Sequence, residues 1–226
     1  MLILAIDTAL DACSAAILDT QSTRIIAHES QPMQRGHAEA LMPLIARVMK
    51  QAAMAFAALD RIAVTTGPGS FTGLRVGLSA ARGIALAAQK PVVGLTTLTA
   101  FAAPYVSESG THPIMSVIDA RHDHVYLQVA SGNGTTLMRP DVVPVAAALE
   151  AARFGPPILV GNAAQIVAAR WPDGTPPVLV EPRPAPDIAW VAWLGAAVSP
   201  ESAPARPYYL RAPDAKPAAG LQPAAP

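Results

Sequence analysis

Between residues 2 and 95 the hydrophobic pattern changes period in a set order, and that order restricts the fold more than any single motif. Residues 2–6, 14–18 and 23–28 are short apolar or β-branched runs separated by Asp, Thr and Ser, the composition of strands joined by tight turns. They are expected to pair as an antiparallel meander. From 37 to 54 the apolar residues Leu41, Leu44, Ile45, Val48 and Met49 recur at three- and four-residue steps, which marks one face of an amphipathic helix. A strand at 61–65, a helix at 72–88 and a strand at 91–95 follow. The order β-β-β-α-β-α-β predicts a hairpin-rich edge that continues into parallel strands through crossover helices.

The second half repeats this theme. Strands are expected at 114–118, 124–130 and 135–139, a helix at 145–152, a strand at 157–160, a helix at 163–169, a strand at 177–180 and a helix at 187–197. Two halves of one topology predict an α/β chain of the actin-like ATPase (ASKHA, RNase H-like) fold, with two similar subdomains of mixed sheet and flanking helices. The expected division is 1–102, 103–198 and a Pro/Ala-rich arm at 199–226, extended or disordered, in which Tyr208 and Tyr209 are the residues expected to dock. The 16 basic and 16 acidic residues cancel, so no global field draws the chain to nucleic acid or an anionic membrane; any RNA contact must be local or shared with a partner. A single cysteine, Cys13, excludes an internal disulfide framework and suits a reducing compartment. The apolar opening at 1–6 lacks a basic flank and reaches Asp7 at once, unlike a secretory signal. A cytoplasmic location is expected.

Actin-like proteins hold nucleotide between their halves on two hairpin turns and glycine-rich loops. Val64-Thr-Thr-Gly-Pro-Gly-Ser-Phe-Thr-Gly-Leu-Arg75 has the look of a phosphate loop, but it lacks the lysine of a P-loop. The first turn keeps Asp7 and Thr8 and contains no glycine, so each Cβ holds a phosphate away from the backbone N–H groups. The second, Asp119-Ala-Arg-His-Asp-His124, presents carboxylates that repel polyphosphate and an arginine, Arg121, able to act as internal counter-ion. Candidates for a residual nucleotide cleft are therefore Asp7, Thr8, Gly67, Gly69, Ser70, Thr72, Asp119 and Arg121. For Asp7 turn capping is the favoured role, and for Asp119 a bond to Arg121 or to the turn backbone. His122 and His124 provide two ligands on one strand face and no third, so no metal site is expected. His37 and Glu39 lie on different helix faces, which places His37 as a capping or interface residue. No nucleophile and base stand together, which counts against a peptidase.

The helix after the loop carries Gly73, Gly77 and Ala81 at four-residue spacing, with Leu74, Leu78, Arg75 and Arg82 on neighbouring faces. Glycine inside a helix costs about 1 kcal/mol against alanine, so another backbone is expected to approach closely, either the chain's own sheet or a partner helix.

Leu4-Ala-Ile-Asp-Thr8 with Cys13-Ser14, Gly36-His-Ala-Glu-Ala-Leu41, Thr66-Gly-Pro-Gly-Ser-Phe-Thr-Gly-Leu-Arg75, Ile118-Asp-Ala-Arg121 with Val125-Tyr126, and more weakly Tyr208-Tyr-Leu-Arg211 resemble the TsaB (YeaZ) family. The resemblance implies a bacterial cytosolic protein of two actin-like domains. It would serve threonylcarbamoyladenosine synthesis beside the anticodon of ANN-decoding tRNAs. It also implies a non-catalytic partner that binds and activates the paralogous transferase TsaD, with the ATPase TsaE joining them, tRNA reached through the complex, and a homodimer when TsaD is absent. No cofactor of its own is implied; ATP and a divalent metal belong to the partner subunits. Where TsaD-like proteins carry a His-x-x-x-His metal pair this chain aligns Thr97 and Phe101, and Asp119-Ala-Arg121 falls at their Ser-Gly-Gly-His turn. The implied partner interface runs along both first-half helices: His37, Glu39, Leu41, Leu44, Ile45, Val48, then Phe71, Gly73, Leu74, Arg75, Gly77, Leu78, Ala81 and Arg82. His124 departs from the glutamate usual there. A small-molecule kinase or ATPase of the same superfamily is the alternative.

Overall fold

A computed structural model describes residues 1–108 and 110–211. Strands β1 (Leu2–Asp7), β2 (Ala12–Asp19) and β3 (Arg24–Pro32) form the antiparallel meander. Helix α1 (His37–Gln51), strand β4 (Arg61–Gly67), helix α2 (Phe71–Ala88) and strand β5 (Val92–Thr96) then build a sheet of order β3-β2-β1-β4-β5 in which β1, β4 and β5 run parallel. The second sheet repeats the plan with β6 (Ile114–Asp119), β7 (His124–Ala130), β8 (Thr136–Pro144), β9 (Ile158–Val160) and β10 (Leu179–Glu181), in the order β10-β9-β6-β7-β8. A short helix α3 (Thr97–Ala102), which no sequence pattern announced, joins the halves. The expected helix at 145–152 is split into α4 (Val145–Ala148) and a 3-10 turn, and α5 (Ala164–Ala168) is a bare turn and a half.

Helices α1 and α2 lie on one face of the first sheet, where Leu41, Leu44, Ile45 and Val48 interleave with Leu4, Ile6, Ile62 and Val64. The opposite face, with Ile3, Ala5, Ala16, Leu18, Ala63 and Val93, is covered by α6 (Ile188–Ala197) through Ile188, Val191 and Ala192. This corrects the expected boundary, which put that helix in a domain ending at 198. The parallel strands β1 and β4 are apolar on both faces and need cover on each, and the first half has no long helix left for its second face. The apolar α6, capped at its start by Asp187, crosses back to supply it. Arg61 holds its far end, donating to the carbonyls of Gly195 at 2.7 Å and Val198 at 2.6 Å.

As far as it is described, the expected arm at 199–226 docks at Tyr208 and Tyr209 and also upstream of them. From Ala203 to Arg211 the chain is a docked strap: Gly94 N–H donates to Ala203 O (2.8 Å), Arg82 donates twice to Ala205 O, Tyr208 N–H donates to Thr66 O (2.8 Å), and Arg211 donates to Ala120 O (3.3 Å). A Cβ on Gly94 would stand 2.7 Å from Pro204 O, so glycine there admits the strap. The remainder of the arm, 212–226, lies outside the described residues. A third apolar cluster, with Ala9, Leu10, Leu74, Leu98 and Phe101 against Ile114, Ile118 and Val160, joins the halves beneath a cleft.

Candidate functional site: the cleft and the outer helices

The glycine-rich loop closes on its own chain. A Cβ on Gly69 would lie 2.3 Å from Ala9 O, on Gly73 2.1 Å from Thr8 O, and on Gly77 2.4 Å from Thr8 Oγ1. Ser70 N–H donates to Ala9 O at 2.7 Å, and the Thr8 hydroxyl donates to Gly73 O at 2.7 Å. The first turn thus fills the space in front of the loop that a phosphate would need. The glycines serve close packing, and what they admit is the turn at Thr8 and Ala9 at the end of β1, so of the two expected neighbours it is the chain's own sheet that approaches.

Asp7 is wholly buried beneath this contact. Its Oδ1 accepts from the Thr65 hydroxyl and from Ala9 N–H at 3.1 Å, while Oδ2 has no hydrogen-bond partner. Burial pushes its pKa above the ordinary carboxylate value, against the smaller pull of the Thr65 and Ala9 bonds. The Asp7 bond to Ala9 N–H is the Asx capping read from sequence. Thr97 is fully buried and Phe101 nearly so, both on α3 in the core. Burial pushes the Cys13 thiol up to about 11, far from a thiolate nucleophile.

Between the halves lies an open cleft of about 600 Å³. Ser70, Thr72 and Gly69 line one wall, Asp119 and Arg121 the other, and Arg35, Tyr209, Arg211 and Asn162 complete it. Asp7, Thr8 and Gly67 are not on its surface. Gly67 packs under the strap, where its Cβ would meet Tyr208 O at 2.9 Å. Asp119 Oδ1 accepts from Arg121 N–H at 2.7 Å, so the second turn is capped from within. Arg121, His122 and Asp123 have φ of 61°, 51° and 59°, three successive left-handed residues, each unfavourable for a side chain with a Cβ. Asp123 pairs with Arg170, and His124 Nδ1 lies 2.7 Å from His122 O. Among the described residues no group of three His, Cys, Asp or Glu could hold a metal. Nothing local in the sequence assigns Arg35, Asn162, Tyr209 or Arg211 to a shared cleft, although Tyr209 is a residue expected to dock and Arg211 closes a quoted motif.

The expected partner interface is divided by burial. Leu41, Leu44, Ile45, Val48, Leu74, Leu78 and Ala81 are core, and Gly73 and Gly77 face Thr8. His37 is buried with Nε2 3.0 Å from Leu10 O, tying α1 to the first turn. These side chains face the chain's own sheet and first turn, because an amphipathic helix has one apolar stripe and the sheet has taken it. Arg82 is engaged by the strap, and Phe71 stacks on Tyr209 at 5.4 Å with the Arg75 guanidinium 3.6 Å over its ring. What α1 and α2 present outward is Glu39, Met42 (47% exposed), Arg75, Gly83 and Leu86 (82% exposed).

The duplicated β-β-β-α-β-α-β halves around a cleft define an actin-like α/β protein. The family described as "TsaD: tRNA N6-adenosine threonylcarbamoyltransferase" matches residues 25–172. TsaB of Escherichia coli, described as a tRNA threonylcarbamoyladenosine biosynthesis protein, is 35% identical over 126 residues, 56% of this chain and 53% of that protein. The chain spans about half the length of the curated relatives it matches at that level. An uncharacterized protein of Mycobacterium tuberculosis is 33% identical over 96% of this chain and 95% of its own length. The solved structure of YeaZ from Pseudomonas aeruginosa superposes with a TM-score of 0.71 at 28% identity, covering 92% of this chain and 99% of that one. The chain belongs to the TsaB (YeaZ) family, within the wider TsaD-like group.

Proposed function

We propose that the chain is a non-catalytic accessory subunit in the synthesis of tRNA N6-threonylcarbamoyladenosine, binding a TsaD-type transferase and holding it in a competent conformation. The relatives' names supply the pathway. The observation that carries the accessory role is the closed loop: Thr8 and Ala9 pack directly against Gly69, Gly73 and Gly77, which shields that backbone from a phosphate. In this reading ATP and a divalent metal belong to TsaD and to the ATPase TsaE, tRNA is engaged through the complex in the cytoplasm, and the chain pairs with itself when TsaD is absent.

The docking face proposed is the outward side of α1 and α2. Gly83 sits mid-helix with nothing within 4 Å of an added Cβ, so its cost of about 1 kcal/mol against alanine is not offset within the chain. Leu86, one turn on, is among the most exposed large apolar side chains of the described residues. Both features fit a second helix lying close across this surface. Met42→Glu with Leu86→Glu should abolish copurification with TsaD while the far-UV spectrum stays that of the wild type. Intact copurification of the double variant would sink the docking face. The kinase or ATPase alternative is decided by calorimetry with Mg-ATP, where this reading expects no heat from the isolated chain.

A further inference from the structure

We infer that the cleft between the halves holds the phosphodiester backbone of single-stranded RNA, an assignment that rests on the tRNA-modification reading above. Arg35, from the loop before α1, and Arg121, from the turn after β6, line the same cleft. Neither guanidinium has a hydrogen-bond or ion-pair partner among the described residues. Two unpaired arginines in one concavity raise the local potential although the chain as a whole is neutral. Arg211, held by its bond to Ala120 O, is brought to the same cleft by the strap. Asp119, which accepts from a backbone N–H, and Asp11, which accepts from the Gln34 amide at 3.4 Å, keep their charges, so the lining carries three arginines against two carboxylates.

The shape selects among anions. Thr8 and Ala9 fill the space against Gly69, Gly73 and Gly77, and the cleft beside them is partly open to solvent. Tyr209 lines the cleft, braced by Phe71 and still 42% exposed. Guanidiniums for the backbone beside a braced aromatic for a base is the chemistry of a single-strand groove, whereas an acidic peptide has no use for the aromatic. The strained run at 121–123 keeps Arg121 on the wall.

The test uses the full chain and a fluorescein-labelled oligoribonucleotide of about 10 nucleotides, a common site size for such grooves, read by anisotropy over a salt series. Arg35→Gln and Arg121→Gln should each weaken binding about tenfold and lower the salt slope by about one. Tyr209→Leu should weaken binding with the slope unchanged, and Arg139→Gln, an exposed arginine on β8 outside the cleft, should match wild type. Thermal melts confirm that each variant is folded. Absence of RNA binding at low salt, equal loss in R35Q and R139Q, or polyglutamate or inorganic phosphate displacing the RNA at equal charge concentration would each overturn the assignment. Copurification with TsaD is measured alongside. If the wild type fails to bind TsaD the tRNA-modification reading falls, whereas TsaD binding without groove-dependent RNA binding sinks this inference alone.

Discussion

Gly77 and Gly83 stand on the same helix in opposite surroundings, and they separate packing from propensity. At Gly77 an added methyl would meet Thr8 Oγ1 at 2.4 Å, and at Gly73 it would meet a main-chain oxygen at 2.1 Å. Gly73→Ala should destabilise the monomer by about 3 kcal/mol, since overpacking against backbone has no side chain to move aside. Gly83→Ala, with open space around it, should stabilise by about 1 kcal/mol; urea unfolding of both variants reads the contrast. Asp7 gives a pH prediction. Its folded pKa is raised by burial above 3.8, so the folded state binds the proton more tightly than the unfolded chain. The stability from this group is complete below 3.8 and is lost as pH rises toward the folded value. Asp7→Asn keeps an acceptor for Thr65 and cannot ionise, so its melting temperature should fall less across that window than the wild type's.

At the scale of elements, α6 is held on a sheet that does not adjoin it in sequence. Arg61 caps its last turn by donating to the Gly195 and Val198 carbonyls, which a terminal helix otherwise leaves unsatisfied. Arg61→Ala should cost about 2 kcal/mol, the worth of hydrogen bonds from a charged donor, and hydrogen exchange should quicken first in residues 188–197. The period of the pattern disclosed α1, α2 and the strands because each presents a regular apolar face. Helix α3 passed unread because Thr97–Ala102 is too short to show one, and α6 was located but not placed, being apolar all round. A helix without a polar side does not announce which sheet it covers.

For the whole molecule, the return of α6 and the strap makes the halves interdependent. Residues 1–102 expressed alone would leave Ile3, Ala5, Ala16, Leu18, Ala63 and Val93 uncovered. That fragment should aggregate, while the full chain melts in one transition; solubility and calorimetry check both. The strap, gripped by Arg82 and Thr66 and ending on Ala120, bonds to both halves. By itself the sequence determined the element order, the duplicated topology and the family, because these follow from local periodicity and from motifs read in order. It also disclosed that the loop at Gly67 to Gly77 needs a close neighbour. Only the tertiary structure decided that the neighbour is Thr8 and Ala9, that the apolar stripes of α1 and α2 face inward, and that Arg35, Arg121, Tyr209 and Arg211 share a cleft. Spacing along a chain records which faces are apolar, but it carries no record of which distant segment will cover them.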